Sequence, residues 1–202
     1  METVIINNGG RYFVGLEGQT ETHKKLPVGT YSVKMTPREE LYLSPIKDFK
    51  IPQKLYGETN GRVERIFNTF KDRPSSTGVL LAGSQGSGKT MLAKQTAIYA
   101  AQHGVPTVVV SGKFAGPDFN SFIQGIPGEC IVIFDEFEKI YDWDEQKQVL
   151  SLLDGVFPSR KLFMLTVNDM NAVSSFMRNR PGRLYYLFKY GNISEQLIRE
   201  YC

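Results

Sequence analysis

The sequence predicts an α/β fold. A parallel five-stranded sheet lies between helical layers and is preceded by a small β-rich module. Three observations predict it. Helical and extended patterns alternate from about residue 50 onward. The extended runs there are apolar throughout rather than alternating. A glycine-rich stretch of eight residues, 83–90, sits between one such run and a helix-forming run. Alternating strands and helices favour a parallel sheet with both faces covered, and strands covered on both faces read as continuous apolar runs.

The first part, residues 1–49, carries the β module. Val4-Ile5-Ile6 and Tyr12-Phe13-Val14 flank Asn7-Asn8-Gly9-Gly10, a hairpin signal. Tyr31–Met35 and Leu41–Leu43 flank the turn Pro37-Arg38-Glu39-Glu40. Glu17 to Lys25 is polar and reads as a loop. About four short strands are too few to stand without packing on something else. Pro45 and Pro52 mark a linker. Residues 50–191 carry the α/β domain. Asn60 to Lys71 is helical, with Val63, Ile66, Phe67 and Phe70 on one face. Gly78–Ala82, Pro106–Ser111, Cys130–Phe134, Leu162–Val167 and Leu184–Phe188 are the five strands.

Gly83-Ser84-Gln85-Gly86-Ser87-Gly88-Lys89-Thr90 reads G-x-x-x-x-G-K-[ST], the phosphate-binding P-loop. Glycines let backbone N–H groups close around phosphate oxygens. The helix that begins after them adds unpaired donors and a positive dipole end. Ser84, Gln85, Gly86, Ser87, Gly88, Lys89, Thr90 and Met91 are the expected nucleotide contacts. Lys89 would reach the β- and γ-phosphates, and Thr90 would hold Mg²⁺. The third strand ends in Asp135-Glu136, four apolar residues followed by two acids, the Walker B pattern. Asp135 would hold Mg²⁺ and Glu136 would polarise the attacking water, in a reaction carried by positioning and charge neutralisation. Glu138, Asp142, Asp144 and Glu145 read as solvated acids. The fourth strand ends in Thr166-Val167-Asn168. Asn168 either bonds the lytic water or γ-phosphate, or is a turn-favouring strand end. Asn179-Arg180-Pro181-Gly182-Arg183 places two guanidinium groups on one rigid corner.

Walker A, Walker B, the strand-end Asn and the Arg-Pro-Gly-Arg corner, in this order, resemble the AAA+ ATPases. Within them they resemble the AAA-proper group of unfoldases, disassembly machines and membrane-protease motors. The wording is also similar to bacteriophage AAA proteins. The resemblance covers roughly residues 51–191. It implies a P-loop NTPase sheet in the order 5-1-4-3-2, ATP with Mg²⁺, and a sensor-1 role for Asn168. It implies that Arg180 and Arg183 are arginine fingers acting in trans, so the working form is a homo-oligomeric ring, usually a hexamer. Tyr56 and Gly57 fall where the family lines its adenine pocket. Phe114-Ala115-Gly116 stands where the family grips protein substrate in a central pore, although Phe114 packing in the core is equally open. Residues 192–202 read as the start of a helical lid that is otherwise absent.

The implied activity is ATP hydrolysis by a ring that unfolds or disassembles a protein substrate. The alternatives are a helicase-loader or clamp-loader-like ATPase and a non-hydrolysing assembly switch. A net charge of +3, with cations spread along the chain, gives no support to nucleic acid as partner. No apolar run approaches the ~20 residues of a membrane helix. Two cysteines, Cys130 and Cys202, give no disulfide framework or metal-ligand spacing. These features suit a cytoplasmic protein, in the host cytoplasm if phage-encoded.

Overall fold

The structure, a computed structural model, describes residues 3–16, 22–50, 59–154, 160–174 and 184–191. The chain opens with the hairpin β1 (Thr3–Asn8) and β2 (Arg11–Leu16). Gly9 and Gly10 form its two-residue turn at φ 58° and 79°, the left-handed pair that matches strand twist and that glycine adopts without strain. After β3 (Thr22–His23) come β4 (Thr30–Met35) and β5 (Leu41–Ile46). Helix α1 (Thr59–Asp72) then leads into β6 (Thr77–Gly83), α2 (Lys89–Gln102) and β7 (Thr107–Val110). Next are α3 (Pro117–Gly125), β8 (Cys130–Phe134), α4 (Phe137–Ile140) and α5 (Trp143–Leu150). The described part closes with β9 (Lys161–Val167) and β10 (Leu184–Tyr190).

The five expected strands are β6 to β10. They lie in the order β10-β6-β9-β8-β7, with every pairing parallel. That is the 5-1-4-3-2 order. Successive residues on these strands face opposite layers, which makes two cores. Val79, Leu81, Ile131, Ile133, Leu162 and Met164 meet α1 and α2. Leu80, Ala82, Val132, Phe134, Phe163 and Leu165 meet Phe119 and Ile123 of α3, Phe137 of α4 and Val149 of α5. The small residues Ala93, Ala97 and Ala100 let α2 lie close to the sheet. In α1 the stripe Val63, Ile66, Phe67 and Phe70 is buried as its spacing predicts.

The N-terminal strands do not stack as a separate layer. They continue the same sheet into ten strands, in the order β10-β6-β9-β8-β7-β4-β5-β2-β1-β3. The joint is β4 on the free edge of β7, parallel, with Thr30, Tyr31 and Ser32 opposite Thr107, Val108 and Val109. Ile5, Tyr31, Val33 and Leu43 share a core with Val108, Val110 and Ile126. That edge is the support four isolated strands lacked. The stretch read as loop from Glu17 to Lys25 also contains a strand: Thr22 and His23 pair with Ile6 and Ile5. Two residues show too little alternation to register as a strand in sequence. Among the described residues no helix is long and apolar enough to cross a membrane.

Candidate functional site

The carboxyl ends of β6, β8 and β9 bring the P-loop, Asp135-Glu136 and Asn168 to one cleft of about 310 Å³. Its lining includes Gln85, Gly86, Lys89, Thr90, Asp135 and Asn168. Glycine is required at two points of the loop. At Gly83 a Cβ would come within 2.7 Å of the Cβ of Tyr190, its neighbour on β10. Gly88 caps α2 at φ 94°, a left-handed conformation that side chains resist. The Ser87 hydroxyl is buried without a hydrogen-bond partner.

Lys89 is only 5% exposed. Its ammonium donates to Gly83 O at 2.6 Å, Ser84 O at 2.8 Å and Asn168 Oδ1 at 3.1 Å. All three of its donors are therefore turned onto the chain itself. Burial pulls this ammonium below the ordinary lysine range, against the opposing pull of Glu138, Asp135 and Glu136. Thr90 Oγ1 donates to Asp135 Oδ1 at 2.9 Å. Glu136 stands at φ 52° and ψ 48° as the residue before α4, a strained backbone of the kind that gathers at working sites. Its Oε1 accepts from Lys139 at 2.6 Å and from Asn168 Nδ2 at 3.3 Å. The Lys139 hydrogen bond is the main reason the Glu136 carboxyl lies below the usual carboxylate range, with Asn168 adding to it and burial opposing.

Two residues at the cleft have work that the sequence reading did not give them. Thr166 Oγ1 donates to Asp135 Oδ1 at 2.6 Å and accepts from the Glu136 backbone N–H at 2.8 Å. One hydroxyl thus fixes both acids. The signal was its place two residues before Asn168 at a strand tip. Glu138, read as a solvated acid, accepts from the Asn168 backbone N–H at 2.9 Å and holds that strand end in place. Asp142 and Glu145 are committed elsewhere, in a capping box at the start of α5, and Asp144 pairs with Lys147 at the surface. Phe114 is half-buried, stacked on Phe119 with centroids 5.9 Å apart. Its loop is tied down by Lys113–Glu145 at 2.9 Å. Of the two readings of Phe114, this arrangement is the packed one. Tyr56, Gly57, Arg180 and Arg183, and the lid segment 192–202, lie outside the described residues.

Residues 79–189 match the family described as "ATPase family associated with various cellular activities (AAA)", and that span is more than half of the chain. The chain belongs to the AAA family. This AAA ATPase is 28% identical over 182 residues to the archaeal Lon protease of Methanothermobacter thermautotrophicus, a match covering 89% of the chain and 24% of that protein. It is 27% identical over 168 residues to the ATP-dependent zinc metalloprotease FtsH 1 of Bdellovibrio bacteriovorus, covering 70% and 23%. The chain thus spans about a quarter of the length of the curated relatives it matches. Its fold is that of the Thermotoga maritima RuvB Holliday junction branch migration motor, with a TM-score of 0.53 at 17% identity over 74% of this chain and 51% of that one.

AAA ATPases bind ATP with Mg²⁺, and the residues present fit both. Thr90 and Asp135 offer hard oxygen donors 2.9 Å apart, the small protein share that Mg²⁺ takes alongside phosphate and water. Among the described residues there is no cluster of three or more His, Cys, Asp or Glu that would suit a metal bound by protein alone. The bent-back Lys89 and the unpartnered Ser87 hydroxyl are the donors a phosphate would satisfy.

Proposed function

We propose that this AAA ATPase is the nucleotide-hydrolysing part of a machine that unfolds or disassembles protein substrates as a cytoplasmic ring. The observation that supports it most is the convergence of Lys89, Thr90, Asp135, Glu136, Thr166 and Asn168 on one cleft. Both relatives bear the names of proteases, which favours polypeptide over nucleic acid.

In this reading the loop 83–88 and Lys89 bind the β- and γ-phosphates, whose oxygens displace Gly83 O and Ser84 O from the ammonium. Gln85, Ser87 and Met91 flank them. Thr90 and Asp135 hold Mg²⁺, which supplies charge neutralisation on the phosphates. Glu136 is kept ionised by Lys139 and Asn168 and takes the proton of the attacking water. Asn168 orients that water or the γ-phosphate. Tyr56 and Gly57 contact the adenine. Arg180 and Arg183 reach a neighbour's γ-phosphate, where a guanidinium stabilises charge mostly in the transition state. For Phe114 to grip substrate, its ring must first leave Phe119.

The test is the ATPase rate of the protein with an unfolded polypeptide and, separately, with single-stranded DNA. Stimulation by polypeptide alone is expected. Stimulation by DNA alone, lost at high salt, replaces this reading with the loader. For the ring, Arg180→Ala mixed with Lys89→Ala should regain activity that neither has alone, because an intact finger then meets an intact P-loop. Mixtures that never recover refute the trans assignment.

A further inference from the structure

We propose that the opposite end of the sheet carries a second binding site, for a small multivalent anion of the phosphate class. A cavity of about 620 Å³, twice the volume of the nucleotide cleft, opens there among Lys25, Lys71, His103, Glu129 and Arg160. These residues precede β4, end α1, follow α2, and lead into β8 and β9. The cavity therefore lies where the parallel strands begin, away from the cleft where they end. It also spans the seam between the N-terminal strands, through Lys25, and the rest of the sheet.

The walls are held firmly. Lys161, 1% exposed, donates to Ile126 O at 2.7 Å and Gly128 O at 2.6 Å, fixing the loop before β8. Arg160 donates to Lys71 O at 3.0 Å and Arg73 O at 3.1 Å and pairs with Glu129. Lys71 meets the other oxygen of Glu129 at 2.5 Å. Both oxygens of that carboxylate are thus engaged, and no other acid lines the cavity among the described residues. Three cations face one carboxylate. His103 is held by its Nδ1 against Tyr99 O at 2.7 Å, with its ring tilted at 33° against that of Tyr99, centroids 4.4 Å apart.

The unmatched charge calls for an anion of more than one unit. The Arg160 fork is already spent on two carbonyls and Glu129, so planar, bidentate carboxylate recognition is not on offer. What is offered is point charge from Lys25, the ammonium donors Lys71 keeps beyond its pair with Glu129, and an imidazole edge, which suits the several directions of a phosphate's oxygens. The volume falls in the range of small-molecule sites.

The experiment is calorimetric titration of the 202-residue chain carrying Lys89→Ala, at constant ionic strength, with inorganic pyrophosphate, glucose 6-phosphate and citrate. Saturable one-site binding of a phosphate probe, weakened at least tenfold by Lys25→Glu, is the expected result. The tighter of the two phosphate probes identifies free or organic phosphate as the ligand. Lys25 is exposed, so its exchange leaves folding intact. Citrate binding as tightly as either phosphate overturns the ligand class. Absence of saturable binding, or binding indifferent to Lys25→Glu, overturns the site.

Discussion

Two lysines are buried at opposite ends of one sheet, and both donate to a pair of backbone carbonyls. Lys89 holds Gly83 O and Ser84 O, and Lys161 holds Ile126 O and Gly128 O. Burial lowers the proton affinity of both. They differ in what else is near. Lys89 stands in a cleft beside Asp135, Glu136 and Glu138, on a glycine-rich loop that a phosphate can enter. Beside Lys161 the nearest acid, Glu129, is already paired twice, and the Cys130 thiol is pushed up by burial and inert. A buried ammonium is therefore not a functional signal by itself. What separates the two is whether ligand oxygens can take over from the carbonyls.

The largest expected effect sharpens the Lys89 end. Glu136→Gln should slow ATP hydrolysis at least about a hundredfold while nucleotide binding persists, read by phosphate release and by titration with a fluorescent ATP analogue. An unchanged rate removes Glu136 from the chemistry.

The direct contrast comes next. Lys89→Ala should abolish MgATP binding. Lys161→Met should leave affinity within about twofold but destabilise the fold by roughly 2 kcal/mol or more, since two buried carbonyls lose their donor. Urea melts beside nucleotide titrations check both. If Lys161→Met weakens binding as much as Lys89→Ala, the two ends are not independent. The same contrast has a ligand form. MgATP at about 100 times its Kd should stabilise the native chain by about 2.7 kcal/mol, and chelating Mg²⁺ or introducing Lys89→Ala should remove most of that gain in a thermal melt.

Thr166→Val should reduce kcat by about tenfold with KM unchanged, because it frees Asp135 and Glu136 together without touching the P-loop. A rise in KM alone would place Thr166 in binding instead. Lys139→Ala should be the mildest change. The pair it breaks is half-exposed, at 52% and 43%, so solvent screens it and stability should barely move. In the proposed mechanism Glu136 acts as a base only when ionised, and Lys139 is the main cause of its lowered pKa. Removing Lys139 raises that pKa, so the acid limb of the pH–rate profile should shift to higher pH.

Much of the Lys89 end was legible in sequence because its signals are local. The P-loop, the acids after Phe134 and Asn168 after Val167 each follow an apolar strand, and parallel strands place their tips together. The strand order came with the family resemblance. The Lys161 end was silent. A lysine at the start of an apolar run gives no sign that loops far along the chain will bring carbonyls to it. Pairing of β4 with β7 was hidden for the same reason: Tyr31-Ser32-Val33 looks like any half-buried strand, and nothing local names its neighbour. Thr166 was given no role and Glu138 was read as a solvated acid, whereas the work of both depends on which backbone amide stands opposite.

The joint between β4 and β7 also sets an order of events during synthesis. Residues 30–32 leave the ribosome long before their partners at 107–109 exist. At about 5–20 residues per second, the N-terminal hairpins wait several seconds with the β4 edge unpaired. Non-local parallel pairing is slow to form even in the complete chain. Pulse-labelled hydrogen exchange during refolding should therefore find the β4 amides protected no earlier than those of β7. Protection of β4 ahead of β7 would mean that the N-terminal strands fold by themselves.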